Sequence, residues 1–141
     1  MEKNILALDI GKARCGVAIS RSGILTTPLV AIQITNFDYK IINNHIKDLL
    51  NSEKIETIVI GYPLYPSGDK CEMTEVVENI KTDLEKDFPN IKFVFQDERN
   101  STTDASSLLH NQGKNAKKQK EIIDSAAACV ILERYLEKVN K

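Results

Sequence analysis

The tightest constraint in this sequence is the run Ile5-Leu-Ala-Leu8, continued by Asp9 and Ile10. Successive side chains of a strand point to opposite faces, so a strand apolar at consecutive positions must be covered on both sides. That requirement predicts a central strand with helices on both faces of its sheet, an α/β architecture. A carboxylate at the end of such a strand is costly to bury without a partner. Asp9 therefore reads either as an Asx-type turn residue before Gly11 or as part of a site.

The remaining pattern extends this sheet. Gly11 and Gly16 bracket a turn, after which Cys15–Ser20 predicts a strand returning antiparallel. Ile24–Ile34, rich in Thr, Val, Leu and Ile, predicts a third strand after the turn at Ser22-Gly23. Ile41, Ile42, Ile46, Leu49 and Leu50 predict a helix from Phe37 to about Ser52. Glu56–Gly61 predicts a fourth strand, and Tyr62–Lys70, with Pro63, Pro66, Ser67 and Gly68, a loop. Val76, Val77, Ile80 and Leu84 share one face of a helix over Glu72–Asp87, stopped by Phe88-Pro-Asn90. Ile91–Gln96 predicts a fifth strand. Ser101-Thr-Thr-Asp104 is close to a capping box and opens a helix that Gly113 ends. A basic loop follows, then a last helix from about Lys120 to Lys138. The order β-β-β-α-β-α-β-α-α predicts a five-stranded mixed sheet with helices on both faces, the order of ribonuclease-H-like folds. No repeat or linker divides residues 1–141, so a single domain is expected.

Composition narrows the function classes. Apolar residues make up 42% of the chain and charged ones 28%, which is ordinary for a globular protein. No apolar stretch is long enough to span a bilayer, so no membrane role is expected. The first residues do not form a signal peptide, and Cys15, Cys71 and Cys129 lack metal-ligand spacing; free thiols and a cytoplasmic location are expected. A net charge of −1 does not announce a nucleic-acid binder. Its distribution is more telling, because the basic run Lys114-Asn-Ala-Lys-Lys-Gln-Lys120 immediately precedes Asp124. That run suits either a solvated segment or a phosphate-binding one. His45 and His110 have no ligand spacing, and neither a Ser-His-Asp set nor a Walker-type phosphate loop is present.

Three acidic positions then stand out, each at an edge of regular structure. Asp9 ends the first strand, Asp97-Glu98-Arg99 follows the fifth, and Asp124 shares a helical face with Ala127, Ala128, Ile131 and Tyr135. Hard divalent cations are the commonest partners of such oxygens, and a carboxylate cluster of this kind is the working part of two-metal phosphodiesterases. Asp97 and Glu98 point to opposite faces if the strand continues, so one of them would join such a site. The alternative for Asp124 is an exposed first-turn residue favoured by the helix dipole. Arg14 and Arg99 sit beside candidate carboxylates and suit either phosphate binding or local charge balance.

Four segments occur in an order with a familiar ring: Asp9-Ile-Gly-Lys-Ala-Arg-Cys-Gly-Val-Ala-Ile-Ser20; Val59-Ile-Gly-Tyr-Pro-Leu64 with Ser67-Gly68; Asp97-Glu-Arg-Asn-Ser-Thr102; and Asp124-Ser-Ala-Ala-Ala128. Together, from about Leu6 to Tyr135, they resemble the bacterial YqgF family, also known as pre-16S rRNA nucleases or Holliday-junction-resolvase-like proteins. The resemblance implies a ribonuclease-H-like fold, a cytoplasmic protein, and action on the 5′ end of the 16S rRNA precursor or on four-way DNA junctions. It also implies that Asp9, Glu98 and Asp124 are the metal-binding acids; Glu98 rather than Asp97 rests on the resemblance alone. Gly11 and Gly16 would shape the first turn, and Gly61 and Pro63 the loop after the fourth strand. Two departures bear on substrate contacts rather than catalysis: Tyr65-Pro-Ser-Gly68 replaces a common Asn-Met-Asp-Gly, and Asn100 replaces a usual Leu.

The expected activity is therefore phosphodiester hydrolysis assisted by one or two Mg²⁺ or Mn²⁺ ions on Asp9, Glu98 and Asp124. Arg14, Arg99, Lys114, Lys117, Lys118 and Lys120 would hold the backbone of a nucleic-acid substrate, pre-rRNA or branched DNA, with the protein a monomer or a homodimer. The competing readings are a non-catalytic RNA-binding assembly factor that keeps the fold, and half of an actin-like nucleotide-binding pair, for which the chain has length for only one domain.

Overall fold

The computed structural model describes residues 2–97 and 116–140, and only the backbone of 116–124. Its elements are β1 (Ile5–Ile10), β2 (Arg14–Ser20), β3 (Thr27–Gln33), α1 (Lys40–Leu49), β4 (Thr57–Tyr62), α2 (Glu72–Asp87), β5 (Lys92–Asp97) and α3 (Ala116–Val139). The five strands form one sheet in the order β3-β2-β1-β4-β5. β2 is antiparallel to both β1 and β3, whereas β4 is parallel to β1 and to β5. The sheet is mixed, with β1 at its centre.

Both faces of β1 are buried, as its apolar run requires. Leu6, Leu8 and Ile10 pack with Ile58 and Ile60 of β4 against Ile42 and Ile46 of α1 and Val77, Ile80 and Leu84 of α2. Ile5 and Ala7 point the other way, and with Ala18 and Val59 meet Ala128, Ile131, Leu132, Tyr135 and Leu136 of α3. Alanine on both sides of this second interface lets α3 approach the strands closely. From Ser125 to Leu132 every residue of α3 is buried. A helix buried all round is one that lies inside the fold rather than on it.

The starts of three elements differ from those expected by three residues or more, each for a local reason. β3 starts at Thr27 rather than Ile24 because serine hydroxyls take the backbone N–H groups a strand would use. Ser20 Oγ accepts from Gly23 at 3.1 Å, and Ser22 Oγ accepts from Ile24 and Leu25 at 3.0 and 3.1 Å. Ile24 and Leu25 consequently stay exposed. α1 starts at Lys40 rather than Phe37 because Asn36 and Phe37 are left-handed, with φ of 54° and 58°. α3 starts at Ala116 rather than about Lys120, so Lys117 and Lys118 belong to a helix and not to the expected loop. Ala, Lys, Gln and Glu are good helix formers, and no Gly or Pro separates Ala116 from Asp124. The helix expected between Ser101 and Gly113 falls outside the described residues.

Candidate metal and nucleic-acid site

The site is built at the edge of the sheet where β1 and β4 end. The β1–β2 connection is closed by Gly11 N–H donating to Arg14 O at 2.8 Å, and Ile34 N–H donates to Ala13 O at 2.9 Å. A Cβ on Gly11 would lie 3.0 Å from the Arg14 carbonyl oxygen, which explains the glycine there. Asp9 lies opposite Gly16 and is only half-buried. By alternation it follows Ile5 and Ala7 onto the α3 face.

α3 reaches the same place through one hydroxyl. Ser125 Oγ accepts a hydrogen bond from Val17 N–H at 3.2 Å and donates to Leu29 O. Val17 and Leu29 oppose each other at the register shift between β2 and β3, so the hydroxyl bridges two strand groups at the irregularity. Ser125 is fully buried. Its clamp holds the backbone of Asp124, one residue earlier, beside Val17 and hence next to the Asp9–Gly16 pair. Asp124 is the ninth residue of α3, counting from Ala116, so the reading as a first-turn, dipole-favoured residue does not hold. Sequence reasoning passed over Ser125; the signal was a lone hydroxyl beside a run of alanines in a core helix.

β5 sorts the remaining acids. Phe93 and Phe95 face α1 and α2, whereas Val94 faces α3. Alternation therefore assigns Asp97 to the α1/α2 side, away from the face of Asp9. Glu98, Arg99 and Lys114 lie outside the described residues, and the side chains of Lys117, Lys118, Lys120 and Asp124 are not described. Arg14 is the half-buried first residue of β2, opposite Gln33.

The donor set suits a hard cation as far as it is described. Asp9 offers a carboxylate on the α3 face. Gln96 has the same strand parity as Val94, and its Oε1 is buried with no hydrogen-bond partner among the described residues. An oxygen left without a donor is costly unless something charged or polar completes it. Among the described residues no three His, Cys, Asp or Glu side chains come together as a metal cluster. Asp9 and Gln96 alone therefore do not make a metal site.

On the α1/α2 side of the same edge, the chain from Tyr62 to Cys71 is braced. Tyr62 packs against Phe95 with ring centroids 4.7 Å apart and donates to Glu78 at 3.1 Å. Lys70 Nζ lies 3.3 Å from the same carboxylate, which raises the lysine pKa. Burial, with the Glu78 bond second, raises the pKa of Tyr62. Cys71 caps α2: its N–H donates to Thr74 Oγ1 at 2.9 Å, and Thr74 Oγ1 in turn donates to Pro63 O. The Thr74 hydroxyl lowers the Cys71 thiol pKa and outweighs burial, which raises it. A shallow cavity of about 350 Å³ lined by Glu2, Lys3, Glu56 and Thr57 lies at the opposite end of β1 and β4, away from this site.

Comparison with known proteins follows the same outline. The profile of the RuvX family, described as "Holliday junction resolvase", matches residues 3–138. A protein of Mesomycoplasma hyopneumoniae named "Putative pre-16S rRNA nuclease" is 38% identical over 133 residues, covering 94% of this chain and 92% of its own. Proteins of the same name from Sulfurihydrogenibium sp. and Chlorobium phaeobacteroides are 40% and 36% identical, each covering 96% of this chain, and 91% and 92% of their own. Among solved structures, Archaeoglobus fulgidus Pelota overlays with a TM-score of 0.47 at 10% identity, covering 96% of this chain and 34% of its own.

Proposed function

The chain belongs to the RuvX family, whose fold is ribonuclease-H-like, and on that premise we propose that it is a metal-dependent nuclease acting on the 5′ region of precursor 16S rRNA. Nucleases of this kind are hydrolases of phosphodiester bonds, and their substrate is nucleic acid. The observation that carries the reading is the convergence of Asp9 and the α3 backbone at Asp124 on one edge and one face of the sheet. Glu98 is the third acid of the proposal. Asp97, the last residue of β5, has the parity of Phe93 and Phe95, on the face opposite Asp9, and in this reading that leaves Glu98 as the acid of the pair.

In this reading Asp9, Glu98 and Asp124 hold Mg²⁺ or Mn²⁺, with Gln96 Oε1 beside them. The bound cation would lower the pKa of the attacking water and offset charge on the leaving oxygen. The chain's own contribution is to fix the acids on rigid elements: Asp9 through the β1–β2 pairing and Asp124 through the Ser125 clamp. Arg14, Arg99, Lys114, Lys117, Lys118 and Lys120 hold the flanking phosphates. No described helix is long and apolar enough to cross a membrane, in keeping with a cytoplasmic enzyme. One domain over residues 1–141 suffices for this site, and the protein acts as a monomer or homodimer.

The description of the matched family favours a second reading, resolution of four-way DNA junctions. Both are tested by incubating the protein with Mn²⁺ or Mg²⁺ and either a 16S 5′-leader RNA or a four-way junction. Asp9→Asn and Asp124→Asn should each abolish cleavage without loss of fold. Leader cleavage lost in both variants supports the rRNA reading, and junction-selective cutting supports the other. Near-wild-type activity in either variant would falsify the assignment of the acids, and nucleic-acid binding without any turnover would leave a non-catalytic assembly factor.

A further inference from the structure

The chain has four phenylalanines and four tyrosines, and of these eight only Phe37 and Tyr65 are exposed, at 71% and 54%. A single exposed aromatic is unremarkable. These two, however, stand at the same end of the sheet, on segments that leave it from strands on either side of β1. Gln33 at the end of β3 lies opposite Arg14 at the start of β2, so the 34–39 segment leaves the sheet where β1 ends. Tyr65 lies three residues after Tyr62, the last residue of β4, and β4 runs parallel to β1 with Ile60 opposite Leu8. In the order β3-β2-β1-β4, three strand spacings separate the two points of departure, roughly 14 Å. β1 and Asp9 fall between them.

Both rings are presented by ordered backbone. Phe37 sits in the left-handed region at φ 58°, after Asn36 at φ 54°, a costly state for a bulky residue. Asp38 N–H donates to Thr35 O at 3.0 Å and Tyr39 N–H to Phe37 O at 3.1 Å, which fixes the turn. Strain kept on an exposed ring at a site edge calls for a use of that ring. Around Tyr65, its own N–H donates to Asp69 O at 2.9 Å, Gly68 N–H donates to Tyr65 O at 2.8 Å, and Leu64 bridges Lys70. Each tip carries an acid already engaged within its loop: Asp38 Oδ1 accepts from Lys40 N–H, and Asp69 Oδ2 from Ser67 Oγ. The tips thus offer ring faces rather than phosphate contacts. Lys70 stands in the Tyr65 loop and Lys12 in the β1–β2 turn at the same end of the sheet, and their exposed pairs to Glu78 and Glu72 are weak and easily exchanged.

The geometry points to a single-stranded segment of nucleic acid as the bound substrate, with bases stacked on Phe37 and Tyr65 and the backbone between them crossing the end of the sheet at which Asp9 stands. The inference rests on the nuclease reading and adds the form of substrate. Stacking of this kind needs unpaired bases, since a duplex keeps its ring faces internal.

The test measures binding in EDTA, by fluorescence anisotropy, of a labelled 12-nucleotide single-stranded RNA and of the same RNA in a blunt duplex. Phe37→Ala and Tyr65→Ala should each weaken single-strand binding about 5- to 100-fold, as loss of one stacked base does, and leave duplex binding unchanged. Tyr65→Phe should retain wild-type affinity. Phe37→Gly, which removes ring and backbone strain together, should bind as poorly as Phe37→Ala while melting no lower than wild type. Unchanged single-strand affinity in both alanine variants, or an equal loss for duplex, overturns the inference, as does a wild-type protein that binds neither RNA. Cleavage assayed in parallel with Mn²⁺ separates the two ideas. Asp9-dependent cleavage indifferent to Phe37 and Tyr65 keeps the nuclease and removes the stacking, whereas ring-dependent binding with no cleavage of any substrate does the reverse.

Discussion

Removing the Ser125 hydroxyl is the most direct probe of how α3 is held to the sheet. Ser125→Ala deletes one atom that accepts from Val17 N–H and donates to Leu29 O, both at a fully buried point. Leaving a buried N–H unsatisfied costs about 1–3 kcal/mol, and the orphaned carbonyl adds a further ~1 kcal/mol. Alanine is the better helix former by about 0.5 kcal/mol, which offsets part of that. The strands could instead close on each other and pair Val17 directly with Leu29, but this needs a movement of roughly 2 Å at the register shift. The net expectation is a loss of about 2–3 kcal/mol. In urea, with a slope of roughly 1–3 kcal/mol/M, the midpoint should fall by about 1–2 M at constant slope. A midpoint within ~0.3 M of wild type would mean that the strands close without cost and that the hydroxyl is not the clamp. If the clamp also sets Asp124, cleavage should fall under conditions where the variant is still fully folded.

Other perturbations follow from features with different physical origins. Gly11→Ala should cost about 1 kcal/mol in thermal or urea unfolding, because its Cβ would meet the Arg14 carbonyl oxygen at 3.0 Å; a variant as stable as wild type would show that the turn opens freely. Asp97→Asn should leave metal-dependent cleavage largely intact while Glu98→Gln removes it, and the reverse pattern in the cleavage assay would transfer the role to Asp97. Burial pushes the Cys129 thiol up to about 11, and burial aided by Glu2 pushes Tyr135 to about 12. Both groups hold their protons more tightly folded than unfolded, so their contribution to stability should be constant below pH 9 and decline as pH rises from about 9 through 12. Unfolding midpoints that stay flat from pH 8 to 11 would refute this. On the acid side the Arg21 hydrogen bond lowers the Glu53 pKa, so that pair should stabilise above the usual carboxylate range and fade as pH falls through it. Arg21→Ala should remove only this acid-side dependence.

Much of the architecture was legible because it rests on periodicity. The two-faced burial of β1 follows from Ile5-Leu-Ala-Leu8, and α2 spans the Glu72–Asp87 that its Val77, Ile80 and Leu84 spacing indicates. The limits that shifted were set by local chemistry that periodicity does not register. Hydroxyls of Ser20 and Ser22 intercept N–H groups before β3, and left-handed Asn36 and Phe37 postpone α1. The start of α3 was placed at about Lys120 because the charge of the preceding run reads as a loop, when the helix propensity of Lys117 and Lys118 was the better guide. Of the candidate site, the strand-end position of Asp9 was readable from sequence. The close approach of α3 was readable from Ala127 and Ala128, but the point at which it is held was not, because that depends on a hydrogen bond between residues 108 positions apart.

The all-round burial of α3 has a bearing on biosynthesis. Every strand of the sheet has been made by Asp97, and α1 and α2 are then available to cover one side. The other side, with Ile5, Ala7, Ala18 and Val59, stays bare until the last helix arrives. A growing chain therefore passes through a stage with one wet apolar face, open to chaperones and to aggregation. In the proposed reading the same stage also lacks Asp124, so a chain at that stage would not yet cut. A chain truncated after residue 115 should bind a hydrophobic dye strongly and cut nothing.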